Sequence, residues 1–477
     1  MFKSIESCQK FIKENDIKII DFKMVDIDGR WRHVAIPAER FTEKTFKYGI
    51  GFDGSNYGFA AVENSDMVFI PDLSTAFVDP YTEVKTLTIS GDAKVIGKKE
   101  NYDFDQYPRN VLKKATEYLK STGIADEMVI GPEFEFYLFD NYDNVVSPNH
   151  VSYNFDSIES SYPDYDVFAQ KSTYHINHQE GYHVDLPTDS FNDLRSLMCL
   201  EMQRAGIDVK YHHHEVGACG QQEIEVELCE VNKMADNTMA IKYIIKNEAR
   251  KHDKIATFMP KPVYGEAGNG MHVHMLLRKD GKPVFYDENG YGGLSNEALW
   301  FIGGLLKHAR SLCALTNPST NSYRRLVPGF EAPVTIGYAM ANRSAVVRIP
   351  AYVKDPMEKR FELRNPDATC NPYYCYAAIL MAGLDGIENR IDPHANNWGP
   401  FDFNLYNLSE EEKKKIEGLP ASLSEAITAL KEDHDYLLKG GVFTEKLLDL
   451  WIRKKLKDQD EIERVPHPVE IQKYFDL

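Results

Sequence analysis

Apolar and polar residues alternate along the first part of the chain, a pattern that predicts β-strands. Residues 17–37 predict two strands joined at Asp28 and Gly29, a dipeptide typical of a tight hairpin turn. Further short strands are predicted near residues 67–70 and 84–90. The pattern therefore predicts a small, mostly β unit at the N-terminal end.

Beyond residue 107 the apolar spacing changes, and segments with a helical period mix with strand-like segments. The stretch 141–179, rich in Asn, Ser, Tyr, Asp and Pro, interrupts this pattern and is predicted to be an excursion from the core. The predicted strands are residues 128–139, 222–227 and 271–278, and the predicted helices are residues 108–121, 189–205, 233–251, 295–316, 372–389, 422–438 and 444–457.

Composition places the chain among globular proteins and limits its partners. Of its 477 residues, 43% are hydrophobic and 27% are charged, so it can bury a large core. The 55 Lys and Arg residues against 73 Asp and Glu residues give a formal net charge of −18. Because non-specific affinity for nucleic acids comes mainly from Lys and Arg, this balance argues against a nucleic-acid partner. An anionic substrate must instead be met by local arginines or bound cations.

The cysteines and the N-terminal residues bear on the compartment. The seven cysteines are dispersed and form no CxxC pair, so we expect neither a disulfide framework nor a zinc ribbon. The first residues lack the apolar stretch of a secretory signal, and no apolar run approaches the roughly 20 residues that span a bilayer. We therefore expect a cytoplasmic protein without a membrane partner.

Two common catalytic signatures are absent from the sequence: the P-loop GxxxxGK[ST] and the nucleophile motif GxSxG. Residues 49–54 do match the GxGxxG spacing of dinucleotide-binding folds. However, the segment before them does not predict a buried strand, and the segment after them does not begin a helix. We therefore reject that interpretation, because the motif carries meaning only between a strand and a helix.

Three strand-like segments carry candidate metal ligands. Glu133 and Glu135 are two residues apart, so they share one face of a strand, where they repel each other unless a cation lies between them or water covers the face. The segment 212–227 adds a run of histidines and then Glu215 and Glu223. Carboxylates in this number favour Mg²⁺ or Mn²⁺, whereas a zinc site on the histidine run would lack the HExxH spacing.

The third segment contains His272 and His274, which share a strand face behind a glycine-rich turn and are either metal ligands or structural histidines. A cluster of arginines follows, and Glu362 and Arg364 are predicted to share a strand face within it. The planar guanidinium suits carboxylates and phosphates, so the cluster indicates an anionic ligand unless it forms surface salt bridges. The clustered arginines are Arg324, Arg325, Arg343, Arg348, Arg360 and Arg364.

Taken together, carboxylates and a histidine for divalent cations beside an arginine cluster indicate a metal-dependent enzyme that uses ATP without a P-loop and acts on a small anionic substrate. The same residues resemble glutamine synthetase of the bacterial type I family, and the matching motifs occur in family order along nearly the whole chain. These motifs are GFDGSN (51–56), ENSDM (63–67), GPEFEFYLF (131–139), HHHEV with GQQE, KPVYGEAGNGMHVH (261–274), NSYRRLVPGFEAP (321–333), NRSAVVRIP (342–350), RFELRNPD (360–367) and VPHPVE (465–470).

The resemblance implies an α+β fold with a small N-terminal β-grasp domain, residues 1–106, and a larger catalytic domain, residues 107–477, of curved antiparallel β-sheet with helices. It also implies a homo-oligomer, a dodecamer of two stacked hexameric rings with active sites between subunits. The implied reaction joins ammonia to L-glutamate with ATP, giving L-glutamine, ADP and phosphate. Two or more Mg²⁺ or Mn²⁺ ions per active site are the implied cofactors.

The resemblance assigns residues to these roles by position. One metal is assigned to Glu135, Glu215 and Glu223, and a second to Glu133, His272 and Glu362. Glutamate is assigned to Gly268, Arg325, Glu331, Arg343 and Arg364, and ATP to His274, Arg348 and Arg360. Asp53 of a neighbouring subunit is assigned to ammonium binding and deprotonation, and Glu331 to the flap that closes the site and accepts a proton; the catalytic set is Asp53, Glu331 and Arg343.

Several positions depart from the family pattern. Ala267 stands where an asparagine often precedes the glycine, and Leu228 stands where an aromatic residue stacks on adenine. Because one residue is inserted between Arg348 and Glu362, the sequence does not define which lysine corresponds to the family's phosphate-contacting lysine. Tyr406 falls where some members are adenylylated, although an ordinary exposed tyrosine explains it equally well.

Three alternatives stay open from the sequence. A γ-glutamylamide ligase would join glutamate to a larger amine, but Asp53 suits a small cation such as ammonium. A non-catalytic structural paralogue would be expected to lose metal ligands, yet all six are present. A zinc hydrolase built on the histidine run leaves the arginine cluster unexplained.

Overall fold

The N-terminal part of the chain folds around a mixed sheet in the computed structural model, which describes residues 2–59, 66–97, 100–160, 174–328, 332–340, 344–403 and 416–477. The strand order is β2-β1-β6-β4-β3, with β1 and β6 parallel and the other neighbours antiparallel; β5 and β7 pair with β6. The strands are β1 (Ile19–Val25), β2 (Trp31–Pro37), β3 (Ile50–Asp53), β4 (Asp66–Pro71), β5 (Phe77–Val78), β6 (Thr86–Val95) and β7 (Tyr102–Asp103), accompanied by helices α1 (Ile5–Glu14) and α2 (Glu43–Tyr48).

The predicted hairpin between β1 and β2 is confirmed, and its turn is held locally. The carboxylate of Asp26 accepts hydrogen bonds from the backbone N–H groups of Asp28 and Arg30, at 3.1 and 2.9 Å. Gly29 has a φ of 77°, a conformation that glycine adopts without steric cost. The dipeptide signal in the sequence therefore reflects a real constraint on the backbone.

A second, larger sheet follows, with the order β11-β12-β8-β15-β19-β18-β17. Its pairings are antiparallel except that β17 and β18 run parallel. Three short strands pair outside this order: β13 and β14 with β8, and β16 with β15. The strands are β8 (Glu127–Phe139), β11 (Val209–His214), β12 (Gln221–Val226), β13 (Cys229–Glu230), β14 (Ile255–Thr257), β15 (Val273–Lys279), β16 (Lys282–Pro283), β17 (Thr335–Met340), β18 (Ala345–Ile349) and β19 (Phe361–Leu363).

Helices cover this sheet, and α9 lies deepest among them, with all but its last residue buried. It crosses α6 so closely that a Cβ on Gly304 would lie 2.1 Å from the carbonyl oxygen of Ala382. No helix of the described ranges is both long and apolar enough to cross a membrane. The helices are α3 (Pro108–Thr122), α4 (Asn192–Arg204), α5 (Val231–Lys251), α6 (Asn296–Lys307), α7 (Ala309–Thr316), α8 (Ser322–Arg325), α9 (Pro372–Glu388), α10 (Leu423–Glu432), α11 (Asp435–Leu438), α12 (Glu445–Glu463) and α13 (Pro468–Tyr474).

Two predicted helices are each divided in the structure. The segment 295–316 forms α6 and α7, which meet at His308, and 422–438 forms α10 and α11. The imidazole of His308 contacts the carboxylates of Asp385 at 3.0 Å and Asp433 at 2.8 Å, so tertiary contacts fix the break. The spacing of apolar residues along the chain does not predict such contacts.

The predicted excursion is confirmed in its first half. Strands β9 (Asn141–Ser147) and β10 (His150–Asp156) form a separate two-stranded sheet that joins neither of the larger ones. Residues 161–173 lie outside the described residues. The described remainder, residues 157–160 and 174–179, packs near the large sheet: Glu159 lies 3.0 Å from His214 of β11, and His178 lies 2.7 Å from Glu266.

A buried arginine joins the N-terminal sheet to the helices of the larger part. Arg109, in α3, contacts Asp72 and Asp92 of the N-terminal part at 2.9 and 2.5 Å and Asp236 of α5 at 2.8 Å. The nearby guanidinium and the hydrogen bonds to Asp72 outweigh burial and lower the pKa of that carboxyl to about 2. This ion cluster fixes the N-terminal sheet against the helices.

Candidate active site

Four glutamates line one face of the large sheet. In the antiparallel pair β8 and β12, Glu135 lies opposite Glu223, and Glu133 lies opposite Glu225. Phe134 of β8 lies between them in sequence and points to the core on the other face, where it is fully buried. Glu133 and Glu135 therefore share one strand face, as their spacing predicts. Glu223 and Glu225 of the neighbouring strand lie on the same face.

Three of these carboxylates, those of Glu133, Glu135 and Glu223, line a cavity of about 300 Å³. Ten of the residues singled out in the sequence line this cavity: Glu133, Glu135, Glu215, Glu223, Gly268, His272, Arg325, Arg348, Glu362 and Arg364. Ala267, the position that departs from the family pattern, also lines it. The cavity wall further includes Tyr182, Tyr211, His213, Gln221 and Tyr352, which sequence reasoning had not assigned to the site.

The first set of candidate ligands, here called group I, consists of Glu135, Glu215 and Glu223. Glu215 and Glu223 each offer an oxygen that lies within 4.8 Å of the other and of a nitrogen of His213. Burial, and then the charges of the neighbouring glutamates, raise the pKa of both carboxyls well above the usual value. Buried carboxylates that repel one another fit a divalent cation, because an ion between them would offset both costs.

The second set, here called group II, consists of Glu133, His272 and Glu362. Nδ1 of His272 lies 2.9 Å from the carboxylate of Glu133, and Nε2 of His274 lies 2.8 Å from its other oxygen. Burial opposes the charge of Glu133, but these two hydrogen bonds outweigh it and hold its pKa well below the usual value. Glu133, His274 and Glu362 offer ligand atoms within 4.8 Å of one another, so His274 also belongs to this cluster.

Two arginines balance the charge of Glu362. Arg348 Nη1 lies 2.7 Å from one carboxylate oxygen, and Arg364 Nε lies 3.0 Å from the other. Burial and Glu133 raise the pKa of Glu362, but Arg364, His274 and His272 outweigh them, so the pKa is lowered. Glu362 of β19 therefore lies beside Arg364, as the residue spacing predicts, and also beside Arg348 of β18.

Arg325 is held against a glycine turn in the cavity wall, with its Nη2 3.4 Å from Nε2 of His272. It is buried and donates hydrogen bonds to the carbonyl oxygens of Asn365 and Arg364, at 2.8 and 3.2 Å. A Cβ on Gly268 would lie 2.8 Å from the Cγ of Arg325 and 2.5 Å from the carbonyl oxygen of Pro260. Gly268 is therefore required for this close approach between the turn, the backbone at Pro260 and the aliphatic part of the Arg325 side chain.

Some predicted residues lie away from the cavity or outside the described residues. Asp53, at the end of β3, accepts hydrogen bonds from Ser55 and Asn56 and does not line the cavity. Arg360 contacts Glu358 and is likewise absent from the cavity wall. Glu331, Arg343 and Tyr406 lie outside the described residues.

Of the residues that sequence reasoning missed, His213 carried a usable signal. Strand β11 pairs antiparallel with β12, which places His213 opposite Glu223 and on the face of the glutamates. Alternation along the histidine run would have selected it once that pairing was known. Tyr182 follows the excursion, and the ring of Tyr182 contacts that of His213 with centroids 5.4 Å apart. No sequence pattern points to such a contact.

Comparison with known proteins agrees with this geometry. Family models described as glutamine synthetase, β-grasp domain, and glutamine synthetase, catalytic domain, match residues 16–94 and 105–474. A glutamine synthetase of Frankia alni is 45% identical over the whole of both chains, and a 3-hydroxylaminophenol mutase of Cupriavidus pinatubonensis is 43% identical over the same share. A Plasmodium falciparum glutamine synthetase structure superposes with a TM-score of 0.88, at 28% identity and covering 99% of each chain.

These matches, together with the two sheets, confirm the predicted α+β fold class with its β-grasp unit. The similarity to the Frankia alni protein covers the whole chain, including both groups of candidate ligands and the arginines, so it is not confined to one segment. The chain therefore belongs to the glutamine synthetase family, and it is an enzyme of the glutamate–ammonia ligase type.

Proposed function

We propose that the chain joins ammonia to L-glutamate in an ATP-dependent reaction that gives L-glutamine, ADP and phosphate through a γ-glutamyl phosphate intermediate. The observation that carries the proposal is the cavity itself, in which two groups of buried carboxylates face Arg325, Arg348 and Arg364. Phosphoryl transfer depends mainly on positioning and on neutralising negative charge, and this cavity supplies cationic side chains and candidate cation sites together.

We assign Mg²⁺ or Mn²⁺ to the two groups. Group I would hold one ion through Glu135, Glu215 and Glu223, and group II a second through Glu133, His272 and Glu362. Bound there, the ions would offset charge on the ATP phosphates and on the glutamate carboxylate. The raised pKa values in group I and the oxygen-rich donor set support hard divalent cations.

The arginines would hold the anionic substrates. Arg325, Arg364 and Gly268 would bind glutamate, with Arg343 and Glu331 completing that set. Arg348, Arg360 and His274 would bind ATP. Arg348 and Arg364 both line the cavity and contact Glu362, which supports a role for these guanidinium groups in binding an anionic ligand beside a candidate metal ligand.

Ammonia needs a separate site, because ammonium has no free electron pair for attack. We assign the binding and deprotonation of ammonium to Asp53 of a neighbouring subunit. We assign the closure of the site to the flap that contains Glu331, and Glu331 would accept a proton after the attack. Asp53 lies on β3, an edge strand of the N-terminal sheet, and is accessible to another copy of the chain. This position supports active sites formed between subunits.

We also propose the homo-dodecamer and the division of the chain at residues 106 and 107. The separate sheets on either side of this boundary support the division. The C-terminal end carries exposed apolar side chains, among them Ile471, Tyr474, Phe475 and Leu477. Such side chains are typical of a surface that another subunit covers, which supports an oligomer.

The experiment compares phosphate release from ATP with Mg²⁺ and glutamate, using ammonium or a panel of small amines, in wild type and Asp53→Ala. We expect ammonium-dependent turnover that collapses in the variant. Turnover only with a bulkier amine would instead identify a γ-glutamylamide ligase. The absence of turnover with every amine would contradict the proposal and favour a non-catalytic role.

A further inference from the structure

The segment predicted as an excursion sends one carboxylate into the protein interior. Glu159 is fully buried, although it lies between the exposed β9–β10 hairpin and residues 161–173. One of its oxygens accepts a hydrogen bond from the backbone N–H of Ser190 at 2.7 Å. The other lies 3.0 Å from Nε2 of His214, which is also fully buried. None of the roles assigned above uses either residue.

His214 connects this carboxylate to a candidate metal ligand. Its Nδ1 lies 2.6 Å from the backbone carbonyl oxygen of Glu215. A carbonyl oxygen only accepts hydrogen bonds, so Nδ1 carries a proton and donates it. The hydrogen bond between Nε2 and Glu159 holds the ring in the orientation that this donation needs. The imidazole therefore fixes the backbone at Glu215 from inside the protein.

The loop after the excursion is attached to the same place. A Cβ on Gly181 would lie 2.4 Å from the carbonyl oxygen of Glu215 and 2.8 Å from Nδ1 of His214. The N–H of Gly181 donates to Val216, and the N–H of His183 donates to His214. Tyr182, between them, lines the cavity. One buried pair thus holds both the backbone of a group I ligand and an aromatic side chain of the cavity wall.

We propose that Glu159 and His214 are positioning residues that set the affinity of group I for its cation by holding the backbone of Glu215. The inference rests on the proposed function in one respect, because it takes Glu215 to be a metal ligand. Hydrogen-bonded groups behind metal ligands commonly change metal affinity by about 10- to 100-fold. The excursion then contributes to the site through Glu159.

The test measures Mn²⁺ binding to the full-length protein without nucleotide, by electron paramagnetic resonance of the free ion. Glu159→Leu removes the hydrogen bond to His214, whereas the amide of Glu159→Gln can donate to Nε2 and still accept from Ser190. The control is His252→Leu, which breaks another imidazole–carboxylate pair, with Glu248, away from the cavity. Glu223→Gln identifies which binding step belongs to group I.

We expect Glu159→Leu to weaken one Mn²⁺ site by about 10- to 100-fold, the same site that Glu223→Gln removes, while the other site keeps its affinity. Glu159→Gln and His252→Leu should bind Mn²⁺ as the wild type does. Unchanged affinity in Glu159→Leu, or equal weakening of both sites, would overturn the inference. A wild-type protein that binds no Mn²⁺ would refute the metal assignment itself, so the two failures are distinguishable.

A second pair of variants decides the matter if Glu159→Leu does not fold. In His214→Asn the amide reaches the position of Nδ1 and keeps the hydrogen bond to Glu215. In His214→Gln the longer side chain reaches the position of Nε2 and loses it. The inference predicts weaker Mn²⁺ binding at the group I site in the Gln variant than in the Asn variant, and equal affinities would overturn it.

Discussion

Groups I and II line the same cavity, yet the carboxylates of the two groups have different charged neighbours. In group II, His272 contacts Glu133, and Arg348 and Arg364 contact Glu362. In group I, Glu215 and Glu223 lie close together with His213 as the nearby imidazole. The carboxyl pKa values follow this contrast, being lowered for Glu133 and Glu362 in group II and raised for Glu215 and Glu223 in group I.

The difference indicates what each group requires from its ligand. Group II is balanced by the protein's own cations, so a metal ion bound at Glu362, as proposed, would leave its arginines available to an anionic substrate. Within the described residues, Glu215 and Glu223 of group I form no ion pair with an arginine or a lysine, so these two carboxylates would gain most from a bound cation. On the proposed assignment, group II would bind its ion together with the anionic substrate, whereas group I would mainly hold an ion.

The largest expected effect is on catalysis, where both groups are needed. Glu223→Gln and Glu362→Gln should each lower kcat by about 10²- to 10³-fold or more, the scale found when one group that stabilises transition-state charge is removed. Glu227→Gln is the matched control, because this glutamate follows β12 and is exposed. Steady-state phosphate release measures all three, and near wild-type turnover in either buried variant would remove that group from the mechanism.

The two groups should differ in their contribution to folding. In metal-free protein, Glu362→Gln breaks buried ion pairs with Arg348 and Arg364 and should lower the free energy of unfolding by about 3 kcal/mol. Glu223→Gln removes a repelled charge and should leave that free energy unchanged or raise it. Urea unfolding in the presence of a chelator measures both, and the same sign for both variants would contradict the contrast drawn here.

The pH dependence of stability provides a further comparison. A carboxyl with a raised folded-state pKa binds its proton more tightly in the folded than in the unfolded state. The metal-free protein should therefore lose stability as pH rises from the usual carboxyl pKa through the raised values of Glu215 and Glu223. Melting curves over this range should show a shallower slope in Glu223→Gln and with saturating Mn²⁺. An unchanged slope in both would show that group I does not titrate as inferred.

The smallest expected effect concerns His213, which lies 3.4 Å from Glu223. His213→Gln should weaken Mn²⁺ binding at group I by about tenfold, the lower end of the range for groups next to metal ligands. His212→Gln is the control, because that ring contacts Arg195 and Ser196 on the other face of β11. If the two variants bind Mn²⁺ with equal affinity, His213 does not contribute to group I, which then consists of carboxylates only.

The sequence predicted the parts of the site that depend on local geometry. A spacing of two residues placed Glu133 with Glu135 on one face of a strand. The family motifs located both groups of candidate ligands and the arginines near them, and ten of those residues line one cavity. Local turn chemistry likewise predicted the hairpin at Gly29.

The remaining features depend on contacts between distant segments. The pairing of β8 with β12 brings Glu223 to Glu135, and no local pattern specifies that register. The break at His308 arises from carboxylates more than 70 residues away in sequence. Glu159 reaches His214 from a segment whose composition predicts only an excursion from the core. Such contacts become visible only when the chain is folded.

The central claim is that the cavity activates glutamate as an acyl phosphate. The measurement that tests it most directly uses L-glutamate labelled with ¹⁸O in its γ-carboxylate, together with ATP, Mg²⁺ and ammonium. If a carboxylate oxygen attacks the γ-phosphorus and ammonia then displaces phosphate, that oxygen leaves in the phosphate. The account predicts one ¹⁸O atom in each released phosphate, detected by mass spectrometry. Phosphate without ¹⁸O, formed while glutamine accumulates, would contradict it.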